Sequence, residues 1–231
     1  MKWLLRGLSS SVGTKQLMAL TGVALLLFVL AHMLGNLQIF LGQEAYNAYA
    51  AKLKGLGPVL WVLRGGLLGV FLLHVGCALC LTRRNRAARP VPYAVQEPLA
   101  STYASRTMLM SGLVVAAFVV YHLLHFTLGV TDPDAYHLVD AAGRHDVYSM
   151  FVLGFQQVPV ALAYVGAMVL LGLHLAHGIP SLFQTVGWNA PRYRGLTTLV
   201  GRGLAALIVL GNVAMPLAVL FGAVGLPGGG A

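Results

Sequence analysis

The sequence predicts an all-α transmembrane protein, a single five-helix bundle over residues 1–231, and three observations predict it. Charged residues make up only 9% of the chain and hydrophobic ones 58%, whereas a soluble domain carries about 25% charged residues. Five apolar stretches reach the roughly 20 residues that cross a hydrocarbon core of about 30 Å. The cations flank those stretches and gather on one side of them.

The spans run over about Leu17–Leu41, Pro58–Leu81, Thr107–Val130, Met150–Gly178 and Leu196–Gly225. Each must be helical in lipid, because a helix satisfies its own backbone hydrogen bonds; no short alternating segments suggest a barrel. The first run is of full spanning length, so it reads as a retained helix and not as a cleaved signal. Met1–Thr14 reads as an amphipathic lead-in carrying Lys2 and Arg6. With the N-terminus in the cytoplasm, the inner side holds Lys2, Arg6, Lys15, Arg83, Arg84, Arg86, Arg89, Arg106, Arg192, Arg194 and Arg202. The outer side holds Lys52, Lys54, Arg64 and Arg144, an imbalance that sets the orientation and places the C-terminus outside. The net charge of +9 thus serves topology and anionic lipid; it does not form one patch for nucleic acid. Gly42–Gly57 is expected to form a short interfacial helix. The run Thr82–Pro92 offers a basic docking surface, and Thr131–Ser149 is an acidic outer loop. Cys77 and Cys80 read as small apolar fillers, since no second pair completes a metal site.

Ionisable residues within a membrane are functional by default. Six of the eight histidines lie in spans: His32, His74, His122, His125, His174 and His177. His32 and His122 each lie about 15 residues from the inner start of their helix, roughly 23 Å up at 1.5 Å per residue. His74 sits roughly 10 Å up, and His177 near that level. Two layers follow: His32 with His122 outside, His74 with His177 inside, about 12 Å apart. Two axial imidazoles per layer suit haem iron and leave no open site for oxygen, while zinc needs three or four converging ligands. Glycines near these positions leave room for a flat macrocycle. His125 and His174 each lie three residues from a proposed ligand, within about 60° on the same helix face. Either can replace its neighbour, or donate to a haem propionate or a quinone oxygen.

The segments TGVALLLFVLAHMLGNLQIF, SGLVVAAFVVYHLLHFTLG, LLHVGCALCLTRRNRAARP and LHLAHGIPSLFQTVGW resemble a known family. It is the di-haem cytochrome b membrane-anchor subunit of succinate dehydrogenase and fumarate reductase (respiratory complex II), in its one-polypeptide, five-helix form. His32 follows Gly22 by ten residues, and His122 follows Gly112 by ten. The resemblance implies two stacked haems b enclosed by the first four helices, the outer held by His32 and His122. For the inner haem it implies His74 and His177, because the fourth-helix ligand precedes a segment like GxxxLFxxxGW. It implies a flavoprotein and an iron–sulfur subunit as partners, a quinone (menaquinone) as substrate, a bacterial plasma membrane, and room for a higher oligomer of the complex. The chain itself has no dinucleotide fingerprint and too few cysteines for a cluster, so succinate chemistry belongs to the partners. Leu175 stands where some fumarate-reducing members carry a proton-linked glutamate, so that route is not expected. Asn36, Gln38 and Glu44 are the outer polar candidates for quinone, and Arg64 for an outer propionate. The rivals are a di-haem quinol-linked cytochrome of another respiratory enzyme and a non-redox membrane scaffold or transporter.

Overall fold

In the computed structural model, residues 10–88, 91, 101–188 and 190–227 are described. The Ser10 hydroxyl caps helix α1 (Ser11–Asn36) by accepting from the Gly13 N–H at 3.0 Å, the usual service of a serine at that place. A 3-10 turn, Leu37–Leu41, then stops at Gly42, whose φ of +91° is a region glycine alone enters cheaply. The expected interfacial helix follows as α2 (Gln43–Lys54). Helix α3 (Pro58–Ala87) opens with a proline in its first turn, where a missing N–H costs nothing. Short α4 (Tyr103–Arg106) leads into α5 (Met108–His122), which continues as a π turn over Leu123–Thr127. Short α6 (Pro133–Tyr136), α7 (Val147–Gln156), α8 (Val158–Thr185) and α9 (Pro191–Leu220) complete the chain. Five of these helical stretches are long and apolar enough to cross a membrane. The N-terminal lead-in up to residue 9, and Arg89 with the rest of the basic loop up to Pro98, lie outside the described residues, apart from Val91.

The fourth apolar stretch is two helices. Gln157 is extended, with ψ +106°, and separates α7 from α8. Pro159 explains the break: its ring has no N–H to donate and would clash with the carbonyl four residues back, so a helix restarts there. Hydropathy cannot register this, because both sides are apolar. The fifth span begins at Pro191, earlier than the apolar pattern suggests, and ends before Gly222 at φ +74°.

Helix α8 packs most extensively on α9 and also along α5. Helix α1 touches α3, α8 and α9. Helix α3 packs along α1, and its backbone makes no more than marginal contact with α5, α8 or α9. A gap therefore runs between α3 and the α5–α8 pair.

The end of the bundle that carries α2 and α7 is closed by polar bonds over an aromatic cluster that includes Tyr46, Phe151, Phe155 and Tyr164. Asn47 is fully buried. Its amide donates to Asp146 at 2.9 Å and Asp140 at 3.1 Å, and its carbonyl accepts from the Tyr148 N–H at 2.9 Å. Gln43 donates to Asp146 at 2.8 Å. These bonds tie α2 to the start of α7. Burial opposes the charge on Asp146, but bonds from Asn47, Ser149 and Gln43 overcome it and hold its carboxyl below the ordinary carboxylate range.

Candidate functional site

One pair of histidines reaches across the gap beside α3, and a second pair joins α1 and α5. The rings of His74 (α3) and His174 (α8) face each other with centroids 6.5 Å apart. Those of His32 (α1) and His122 (α5) stand 5.7 Å apart at 88°. Two metal–nitrogen bonds of about 2.0–2.1 Å, with about 1.1 Å from each nitrogen to its ring centre, give a span of about 6.3 Å. The inner pair fits that span, and the outer pair is about half an ångström short of it.

The inner pair is held the same way on both sides. The His74 Nδ1 lies 3.1 Å from the Met18 carbonyl and 3.1 Å from the Thr21 hydroxyl. That hydroxyl's one proton goes to its own helix, at Leu17 O (2.9 Å) or Met18 O (3.0 Å). Both neighbours therefore accept, so the network assigns the proton to Nδ1 and leaves Nε2 bare. His174 has a similar setting on α5: its Nδ1 lies 3.4 Å from the Ser111 hydroxyl, which donates to Met108 O at 3.1 Å, with that carbonyl close by. Glycine lets each ring come this close. A Cβ on Gly22 would lie 3.4 Å from His74 Cε1, and one on Gly112 would lie 3.3 Å from His174 Cε1. Among the described residues nothing bonds either Nε2. A metal-ligating histidine has this arrangement, its second nitrogen donating to a backbone carbonyl, and His74 and His174 are both half-buried with Nε2 left open toward the gap.

These contacts expose a repeat. Met18, Thr21, Gly22, Phe28 and His32 on α1 match Met108, Ser111, Gly112, Phe118 and His122 on α5. Each phenylalanine lies near its histidine, at 5.3 and 6.0 Å between centroids. The ten-residue glycine-to-histidine spacing was visible in the sequence; the hydroxyl before each glycine, which carries the hydrogen bonding, was not singled out. On each helix eleven residues separate hydroxyl and histidine, so the two layers lie about 16 Å apart.

The structure brings His74 to His174. His177 lies one turn further along α8, where Lys15 is the charge that acts on it. His125 is buried at 5% exposure, and its Nδ1 lies 3.0 Å from the Tyr164 hydroxyl, which is also 3.3 Å from His122 Nδ1. Tyr164 carries no motif, and sequence reasoning missed it. Asn36 is spoken for: its amide donates to His32 O at 2.8 Å and its carbonyl accepts from Tyr46 at 2.6 Å. Glu44 accepts from Arg144 in a two-pronged pair, at 2.9 and 2.6 Å. Gln38 makes no side-chain hydrogen bond among the described residues. Arg64 is exposed on α3, its guanidinium 5.1 Å over the Trp61 ring. No group of three or more metal-ligating side chains occurs among the described residues, so only paired ligands are on offer.

A family model described as the succinate dehydrogenase/fumarate reductase transmembrane subunit matches residues 82–211, more than half of the chain. The chain belongs to that family. It is thus a multi-pass membrane subunit of the respiratory complex II type, associated with electron transport. No curated protein and no solved structure matches the chain. The matched segment of this transmembrane subunit contains His122, His125, His174 and His177. His32 and His74 lie before it, and they enter the site through the repeat and the facing geometry.

Proposed function

We propose that this transmembrane subunit is a di-haem cytochrome b that receives electrons from an iron–sulfur subunit and delivers them to a quinone of the menaquinone type. His32 and His122 hold the outer haem. His74 holds the inner one, and His174 serves as its partner in place of His177. The observation that carries the reading is the inner pair: two imidazoles at a two-bond span, each with Nδ1 against a helix hydroxyl and the carbonyl three residues before it, and with Nε2 bare. Iron between two imidazoles supplies one-electron transfer and has no open position for oxygen. The residues do the rest. Met18 and Met108 carbonyls, with Thr21 and Ser111, fix the tautomer and the ring plane. Gly22 and Gly112 let the rings approach their helices. The gap between α3 and the α5–α8 pair gives a flat group its place. Gln38 is the outer candidate that keeps a free amide for a quinone oxygen. The basic inner ends of α3 and α9 fit a cytoplasmic face on which the iron–sulfur and flavoprotein subunits dock, in a bacterial plasma membrane.

The test is a reduced-minus-oxidised spectrum with pyridine haemochrome quantitation on the assembled complex. Two b haems per chain, reduced when succinate is added, are expected. A complex with no haem ends the redox reading and favours a scaffold. Haems that quinol reduces and succinate does not would assign the chain to another quinol-linked enzyme.

A further inference from the structure

We infer that Tyr164 is the positioning residue of the outer histidine pair, and that His125 acts through it on His122. This rests on the proposed role of His122 as a haem ligand. To offer Nε2 to iron, His122 must carry its proton on Nδ1, and that nitrogen points to the Tyr164 hydroxyl at 3.3 Å. A phenol has one proton to give. Accepting from His122, Tyr164 donates its own to His125 Nδ1, 3.0 Å away. The chain is therefore directed: His122 Nδ1–H to Tyr164 Oη, and Tyr164 Oη–H to His125 Nδ1. His125 carries its proton on Nε2.

Its surroundings enclose His125. It is 5% exposed, its ring stacks on Phe126 at 4.0 Å, and α7 closes over it. A Cβ on Gly154 would lie 3.0 Å from His125 Nε2. Neither a propionate nor a quinone reaches a ring so enclosed. The π turn Leu123–Thr127 holds it there, closed by the Leu128 N–H to Leu123 O bond at 2.9 Å; such turns recur at functional sites. Tyr164 is itself 7% exposed and meets Phe118 and Phe155 edge-on at 4.9 and 4.8 Å. In that apolar box each bond of a chain strengthens the next.

A donating Nδ1–H makes an imidazole a stronger electron donor to its metal. The chain should thus hold the outer haem in its oxidised form more firmly than an unassisted imidazole would. The experiment is a potentiometric titration of both haems in the assembled complex, with the low-spin EPR signals recorded. In Tyr164→Phe the outer haem is expected to become easier to reduce by about tenfold in its equilibrium, about 59 mV for one electron. Its EPR signal shifts, while the inner haem moves in neither respect. His125→Phe gives a smaller shift of the same sign. His125→Asn, whose amide oxygen accepts in place of Nδ1, restores most of it. Two retained haems with unchanged potentials in Tyr164→Phe overturn the inference. If that variant does not assemble, the His125 pair decides: a shift in His125→Phe that His125→Asn reverses supports the chain, and no shift in either overturns it. A wild-type complex lacking the outer haem would instead remove the ligand assignment beneath it.

Discussion

The inner and outer histidine pairs solve the same problem with different parts. The inner pair is symmetric: two histidines, each on a carbonyl three residues before a hydroxyl, each against a glycine, on two helices related by a repeat. The outer pair belongs to those same repeated helices, yet its partners differ. His32 is exposed, with Phe28 stacked on it. His122 leans on Tyr164 and, behind it, on the buried His125. Position explains the difference. In the inner layer the histidines come from α3 and α8 and bond the inner parts of α1 and α5, where Thr21 and Ser111 sit. In the outer layer the histidines are themselves on α1 and α5, and their partners must come from α8 and the outer cap, which the repeat does not cover. Duplication can give a site its ligands, but what surrounds them depends on the rest of the fold.

The largest effect expected separates the two candidates on α8. His174→Ala should remove one of two b haems, and His177→Ala should leave both. Haemochrome quantitation on the two purified complexes checks this. The opposite result would return the inner site to His177 and leave the Met108–Ser111 contacts of His174 without a cofactor to serve.

The sequence carried the five spans, because hydropathy over about 20 residues depends on length and composition alone. It also carried the six histidines within those spans, which residue counts from the inner helix ends sort by depth into the two proposed layers. It did not carry the choice between His174 and His177. Three residues apart, they differ by about 60° around the helix, and only the rotation of α8 decides which one faces α3. That rotation is set by packing against α9, where Gly201 meets Pro180 and Gly172 meets Val209. Tyr164 was hidden for a related reason: one aromatic in an apolar helix reads as core until its hydroxyl is seen between two imidazoles. The break at Gln157 was written in Pro159, but the apolar run on both sides masked it. The Asn47–Asp146 bond joins residues nearly a hundred positions apart, and no local pattern points to it.

A smaller effect should confine itself to the outer layer. Asp146 is 5% exposed and accepts from Gln43, Asn47 and Ser149. Asp146→Ala leaves these donors unpaired and should cost about 3 kcal/mol, seen as hydrogen exchange in α2 faster by about two orders of magnitude. The inner haem should not respond. Acid should mimic the mutation. The Asp146 pKa is depressed in the folded state, so its contribution is present in full above the unfolded carboxylate value of about 3.9. It fades as pH falls through the lower folded value. Protection of α2 that is flat from pH 7 down to pH 2 would show that the carboxylate does not hold the cap.

The smallest effect tests the symmetry itself. Thr21→Val removes one of the two acceptors facing His74 Nδ1 and leaves the Met18 carbonyl; Ser111→Ala does the same to His174, leaving Met108. Each loss should cost about 1 kcal/mol, or several-fold in retention of the inner haem under detergent washing. If the two halves are equivalent, the two variants match, and because both rings serve the same inner haem the double variant should lose more than the sum of the two. The outer haem serves as the internal reference in every sample. A Thr21→Val loss several times that of Ser111→Ala would mean that α1 holds its ring more firmly than α5 does. The longer Ser111 contact, 3.4 Å against 3.1 Å for Thr21, already leans that way. The repeat would then supply the pattern of the site while its strength rests more on one half.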